Sequence, residues 1–215
     1  MLTPLTIQMT TKMIIPTSAR TRARTKTTFA LLLVATTLLF FQMFSSQSLH
    51  AASFDQEHTL WNELLQAHVI DKGHFSQVDY KAILSEKAKF NRYLNTLSDL
   101  PRADFDRWSR DQRLAFLINA YNAFTVKLII DHYPVKSIKD IGNLFTSSWK
   151  KKFFNLFGEL TYLDHIEHDL IRGNPEFNEP RIHFAVVCAS IGCPKLPAQA
   201  FTANNVELLL EAGTM

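Results

Sequence analysis

From residue 57 onward, stretches with the helical period alternate with short runs that lack it. Leu60, Leu64, Leu65 and Val69, flanked by Trp61 and Ala67, predict an amphipathic helix over 57–70. Asp71-Lys72-Gly73-His74 ends it, and Phe75 to Tyr80 reads as a short extended piece. A second helix is predicted over 81–97, with Ile83, Leu84, Phe90, Tyr93, Leu94 and Leu97 inward. Pro101 marks the break that follows. His58, His68 and His74 lack the spacing of metal ligands and read as solvated or partly buried histidines.

Ser109 and Gln112 fit a capping box, and Pro134 stops the helix that they open after Tyr133. Leu114, Leu117, Ile118, Tyr121, Phe124, Thr125 and Leu128 share one face, while Phe116, Ala123, Val126 and Ile130 cover the other. Only Arg113, Lys127 and Asp131 form a narrow polar stripe. A helix apolar nearly all round is a buried one, so this is the expected centre of the domain. Asn119 and Asn122 lie off the polar stripe, so their amides need partners. Bracing of neighbouring loops is the favoured role, and substrate binding the alternative.

After an irregular passage over 135–149, Phe153 to Leu156 and Leu160 to Tyr162 predict a hairpin turning through Phe157-Gly158-Glu159. Thr161 and Asp164 then open a helix whose apolar stripe is Leu163, Ile166, Leu170 and Ile171. Glu167 falls inside that stripe. A carboxylate there costs several kcal/mol unless a charge or donors meet it. Arg181, His183 or a buried amide are the candidate partners, either in a structural Glu–Arg pair or with Glu167 orienting a histidine. The run from Ile182 to Val187 predicts a buried strand ending in a tight turn at Gly192 and Pro194. A short helix over 204–211 closes the chain. The element order predicts an α+β domain: a helix-rich N-terminal half with one central buried helix, packed on a small, mainly antiparallel sheet.

The first fifty residues belong to a different class. Five basic residues precede the almost wholly apolar run from Phe29 to Phe44, and the small-residue stretch Ser45 to Ala52 follows. This is the order of a secretory signal, with cleavage expected near Ala51 or Ala52 and an uncleaved anchor as the alternative. Residues 1–51 hold five of the 23 basic residues and none of the 20 acidic ones, leaving 18 against 20, a net charge of −2. The basic balance of the whole chain is thus an export feature and gives no reason to expect nucleic acid. The run Lys150-Lys151-Lys152 reads as a solvated turn. A periplasmic or extracellular domain over 52–215 is expected. Any membrane contact comes through the N-terminal segment alone, and the oligomeric state is open.

Candidate chemistry gathers on the turn after the predicted strand. Both cysteines of the chain, Cys188 and Cys193, lie there, a few residues after His183. A thiol at the end of a strand beside an imidazole suits nucleophilic or redox chemistry. A disulfide between them would instead staple the turn in an oxidising compartment. Their spacing is wrong for a Cys-x-x-Cys exchange motif, and with His183 they fall short of a recognised metal-ligand pattern. Strand alternation puts His183, Ala185 and Val187 on one side and Cys188 on the other. The two meet only if the backbone turns at Val187 or Cys188. His165 or His168 is the fallback base.

Three segments resemble the domain-of-unknown-function family 547. They are Leu114 to Ala123 (LAFLINAYNA), Leu163 to His168 (LDHIEH) and Arg181 to Leu196 (RIHFAVVCASIGCPKL), in the family's order. The resemblance implies a papain-like or transglutaminase-like arrangement in which Cys188, His183 and Glu167 come together. Cys188 would be the nucleophile, His183 the base and Glu167 its orienting acid, for acyl transfer or hydrolysis at an amide or thioester. Asn119, Asn122 and Arg181 would then bind a small-molecule or peptide substrate, without metal or cofactor. The alternative is a non-catalytic peptide- or ligand-binding module with a Cys188–Cys193 disulfide. Family members usually continue past the cysteine turn, so a missing C-terminal piece is expected. Tyr162 also stands where a small capping residue is common.

Overall fold

A computed structural model describes residues 53–143, 146–189 and 192–215, and the folded unit runs from Phe54 to Met215. The N-terminal segment expected to direct export lies outside the described residues. Among the described residues, ten helical stretches and two hairpins surround the core.

The first helix, α1 (Thr59–His68), buries Trp61, Leu64 and Leu65, as its period requires. The chain then becomes extended sooner than expected. Strands β1 (Val69–Asp71) and β2 (Ser76–Val78) form an antiparallel hairpin across Lys72–Phe75. Asp79 caps α2 (Tyr80–Ser85) by accepting from the Ala82 N–H at 2.9 Å. The single helix expected over 81–97 is two, because the backbone breaks at Glu86 before α3 (Lys87–Ser98). A one-turn helix, α4 (Arg102–Phe105), follows Pro101.

The central helix α5 (Arg110–Asp131) is as the sequence predicts. Ser109 and Gln112 close both halves of the capping box, and sixteen of its residues are buried. α2, α3, a following helix and the C-terminal helix all pack on it. Its ring of aromatic contacts includes Phe124 stacked on Phe154 with centroids 3.8 Å apart. The hairpin β3 (Phe154–Leu156) and β4 (Glu159–Thr161) turns through Phe157 and Gly158, both at positive φ. Glycine adopts that conformation freely and Phe157 does not.

Two further elements depart from expectation. The helix that carries Glu167 is a π-helix over His165–Arg172, with Ile166 and Ile171 buried. The expected strand over 182–187 is instead a 3-10 helix, Pro180–Phe184, followed by irregular chain. The local chemistry explains this. Pro180 presets helical φ at the first position, and Glu179 accepts from the Arg181 N–H at 2.9 Å. An apolar run of this length fits a short buried helical segment as well as a strand. The last helix, α6 (Val206–Thr214), packs on the 3-10 helix so closely that a Cβ on Gly213 would stand 3.0 Å from the Phe184 Cβ.

The fold is α+β and helix-rich, with the antiparallel β-structure divided between two separate hairpins rather than joined in one sheet.

Candidate functional site

The predicted site residues fall into three separate environments. Cys188 and Cys193 are bonded to one another, with Cα atoms 6.0 Å apart, so neither carries a thiol. The backbone bend that the sequence left open occurs one residue later, at Ala189, whose φ is +50°. For a residue with a Cβ this conformation costs about 1–2 kcal/mol, so the turn is held by its surroundings.

His183 sits exposed on the 3-10 helix, its ring edge against Phe184. It makes no hydrogen bond or ion pair with any described residue, Glu167 and Cys188 included. Glu167 is met by neither Arg181 nor His183. Arg172 donates to its Oε1 from Nη2 at 3.0 Å and from Nε at 3.3 Å. The Tyr121 hydroxyl lies beside the same carboxylate and the Trp149 indole. Burial pushes the Tyr121 phenol far above its ordinary range, and the charges of Glu167 and Asp164 push it further. Burial also raises the neighbouring Asp164 carboxyl.

The expected binding residues are engaged internally. Asn119 donates to the Phe201 carbonyl at 2.7 Å and accepts from the Phe201 N–H at 3.1 Å. Asn122 donates to the Ala185 carbonyl at 2.9 Å and accepts from the Val187 N–H at 3.0 Å. Each amide thus serves as a two-point brace for a loop, the role favoured from the sequence. Arg181 holds Glu179, Glu207 and Glu211 together. Its bond to Glu179, on a carboxylate almost wholly buried, keeps that carboxyl below its ordinary range.

A residue that the sequence did not single out for chemistry completes the picture. Thr125, one helical step beyond Asn122, is fully buried, and its hydroxyl has no partner. It lines a cleft of about 470 Å³ between the β1–β2 hairpin and the disulfide turn. Phe75 to Val78 form one wall, Val187, Ala189 and Cys193 the other, and Thr125 with Val126 lies between them. Thr125 was counted among the core residues of its face because spacing alone does not reveal an unpaired hydroxyl. Tyr80 also lines the cleft, and burial pushes its phenol up to about 12. The surfaces are mostly apolar with a few polar groups, the composition of a small-ligand site. Among the described residues no cluster of histidine, cysteine, aspartate or glutamate is placed to hold a metal ion.

The profile of the family described as "Protein of unknown function, DUF547" matches residues 105–215, just over half of the chain. No curated protein and no solved structure matches.

Proposed function

The chain belongs to the DUF547 family, and we propose that it works as an exported domain that binds a ligand rather than as a cysteine hydrolase. The observation that carries this reading is the cleft beside the Cys188–Cys193 disulfide. Its wall contains Cys193, whose bond to Cys188 ties up the sulfur that would otherwise be the nucleophile, and beneath it lies the buried, unpaired Thr125 hydroxyl. A disulfide has no thiolate to attack a carbonyl, but it rigidifies a binding wall. A buried hydroxyl without a partner costs about 1–3 kcal/mol. The hydroxyl is covered, so a ligand recovers part of that cost where the cleft wall shifts to admit a hydrogen bond. Export is supported by the basic and then apolar N-terminal segment and by a disulfide, which persists in oxidising compartments.

Two measurements test the reading. Native protein treated with iodoacetamide at neutral pH should leave Cys188 unmodified until a reductant is added. Rapid modification without reductant would restore the nucleophile and overturn the proposal. In the second, a panel of small aromatic amides and alcohols is screened by NMR. Methyl shifts should cluster on Val78, Val126, Val187 and Leu196, and binders that leave these methyls unmoved would show that the cleft is not the site.

A further inference from the structure

We infer that the occupant of this cleft is an extended peptide segment that adds as a third strand to the free edge of β2. The inference rests on the ligand-binding reading and narrows it to one class of ligand.

The hydrogen-bond pattern of the hairpin defines the edge. Lys72 N–H donates to the Phe75 carbonyl and Asp79 N–H to the His68 carbonyl, both at 2.9 Å. With the register Val69 to Val78 and Asp71 to Ser76, the pairs bonded across the ladder are 68 with 79, 70 with 77 and 72 with 75. Alternation in an antiparallel pair then turns the N–H and C=O of Ser76 and Val78 away from β1. β2 has no second neighbouring strand, and among the described residues these outward groups have no backbone partner. Phe75 to Val78 line the cleft, so the free edge borders it. Two N–H and two C=O groups in line match the backbone of an extended peptide and no smaller ligand as well.

The remaining surfaces fit the same occupant. The side chains of an added strand alternate, so every second residue turns towards the domain. There they meet Val126, Val187 and Ala189, with Thr125 buried beneath them. Apolar residues suit that side. The Leu196 N–H already donates to the Ser76 Oγ at 2.8 Å, which fixes the far wall against the strand without using the strand's own backbone. Lys195 is the one charged group among the described lining residues. Its ammonium meets Asp71 at 3.0 Å on an exposed pair, so the cleft mouth carries no net charge. The segment is therefore neutral, with alternating apolar residues.

Peptides selected from a random linear library on the full chain supply the probes. For a selected peptide, N-methylation of alternate amides should weaken binding about tenfold at those facing β2 and leave the others nearly unchanged. Val78→Pro deletes only an outward N–H and keeps the β1–β2 ladder, so it should weaken binding by a similar factor. Ala189→Trp, which fills the cleft, should abolish it. Where a variant melts well below the wild type, the N-methyl scan on wild-type protein decides alone. If Ala189→Trp abolishes binding while Val78→Pro and N-methylation have no effect, the cleft binds ligand but strand addition is wrong. If no peptide is enriched while the aromatic amides still move the cleft methyls, strand addition is again wrong and the ligand site survives. Peptides indifferent to all three changes would sink strand addition and remove peptide support for the cleft.

Discussion

Asn119, Asn122 and Thr125 lie three residues apart along one row of the central helix, and they meet different surroundings. The two amides face chain that folds back onto the helix, and each has both a donor and an acceptor answered by backbone. Thr125 faces the cleft, and its hydroxyl is unanswered. One row of a single helix therefore builds the fold over two turns and leaves a buried, unpaired polar group on the next. A satisfied buried polar group is costly to remove, whereas an unsatisfied one is costly to keep. That difference separates the two braces from the residue under the proposed ligand site.

The largest expected effect is at Asn122. Asn122→Ala leaves the Ala185 carbonyl and the Val187 N–H buried without partners, and stability should fall by about 3–5 kcal/mol in urea denaturation. A loss below about 1 kcal/mol would mean that the loop finds other partners and that the brace is dispensable.

His58 is an intermediate case, because Nδ1 meets the Tyr93 hydroxyl at 2.8 Å while Nε2 has no partner. Burial pushes its pKa down to about 4, despite the opposing charge of Asp55. The unfolded chain takes up this proton near 6.5 and the folded chain only near 4. Stability is thus unaffected by this group above pH 6.5 and is lost progressively as pH falls to 4, by about 3 kcal/mol in all. Urea midpoints should show this slope in wild type and lose it in His58→Gln. A slope that persists in the variant would assign it to other groups.

Tyr121→Phe should cost about 1 kcal/mol, since it removes a buried hydroxyl beside Glu167 while Glu167 keeps Arg172. Thermal denaturation that shows no shift would place the Tyr121 hydroxyl with Thr125 rather than with the asparagines. The smallest effect belongs to Thr125→Val, which removes only an unpaired hydroxyl. It should be neutral or stabilising by up to about 1 kcal/mol. Clear destabilisation would show that the hydroxyl has a structural partner.

Much of this was legible in the chain. Periodicity located the buried helix, the capping box marked its start, and off-stripe amides marked Asn119 and Asn122 as residues needing partners. The β3–β4 hairpin followed from its turn. The apolar run 182–187 misled because its composition suits a strand, while Pro180 and Glu179 outside it favoured a helical turn. The partner of Glu167 was hidden for a geometric reason. In an α-helix residues five apart point about 140° away from one another, so Arg172 was not a candidate. In the π-helix the bonded pairs are five apart, and Arg172 comes over Glu167. The cleft was the least legible feature, because it depends on a three-residue strand edge and a turn more than a hundred residues later.

The two asparagine braces also change what the word loop means here. The Val187 and Phe201 amides lie in irregular chain, yet each is bonded to a side chain of the most buried helix. Their deuterium exchange should therefore follow global unfolding, at rates of core helix amides rather than of turns. An insertion beside Val187 or Phe201 should disrupt the whole domain, as an insertion in its core would.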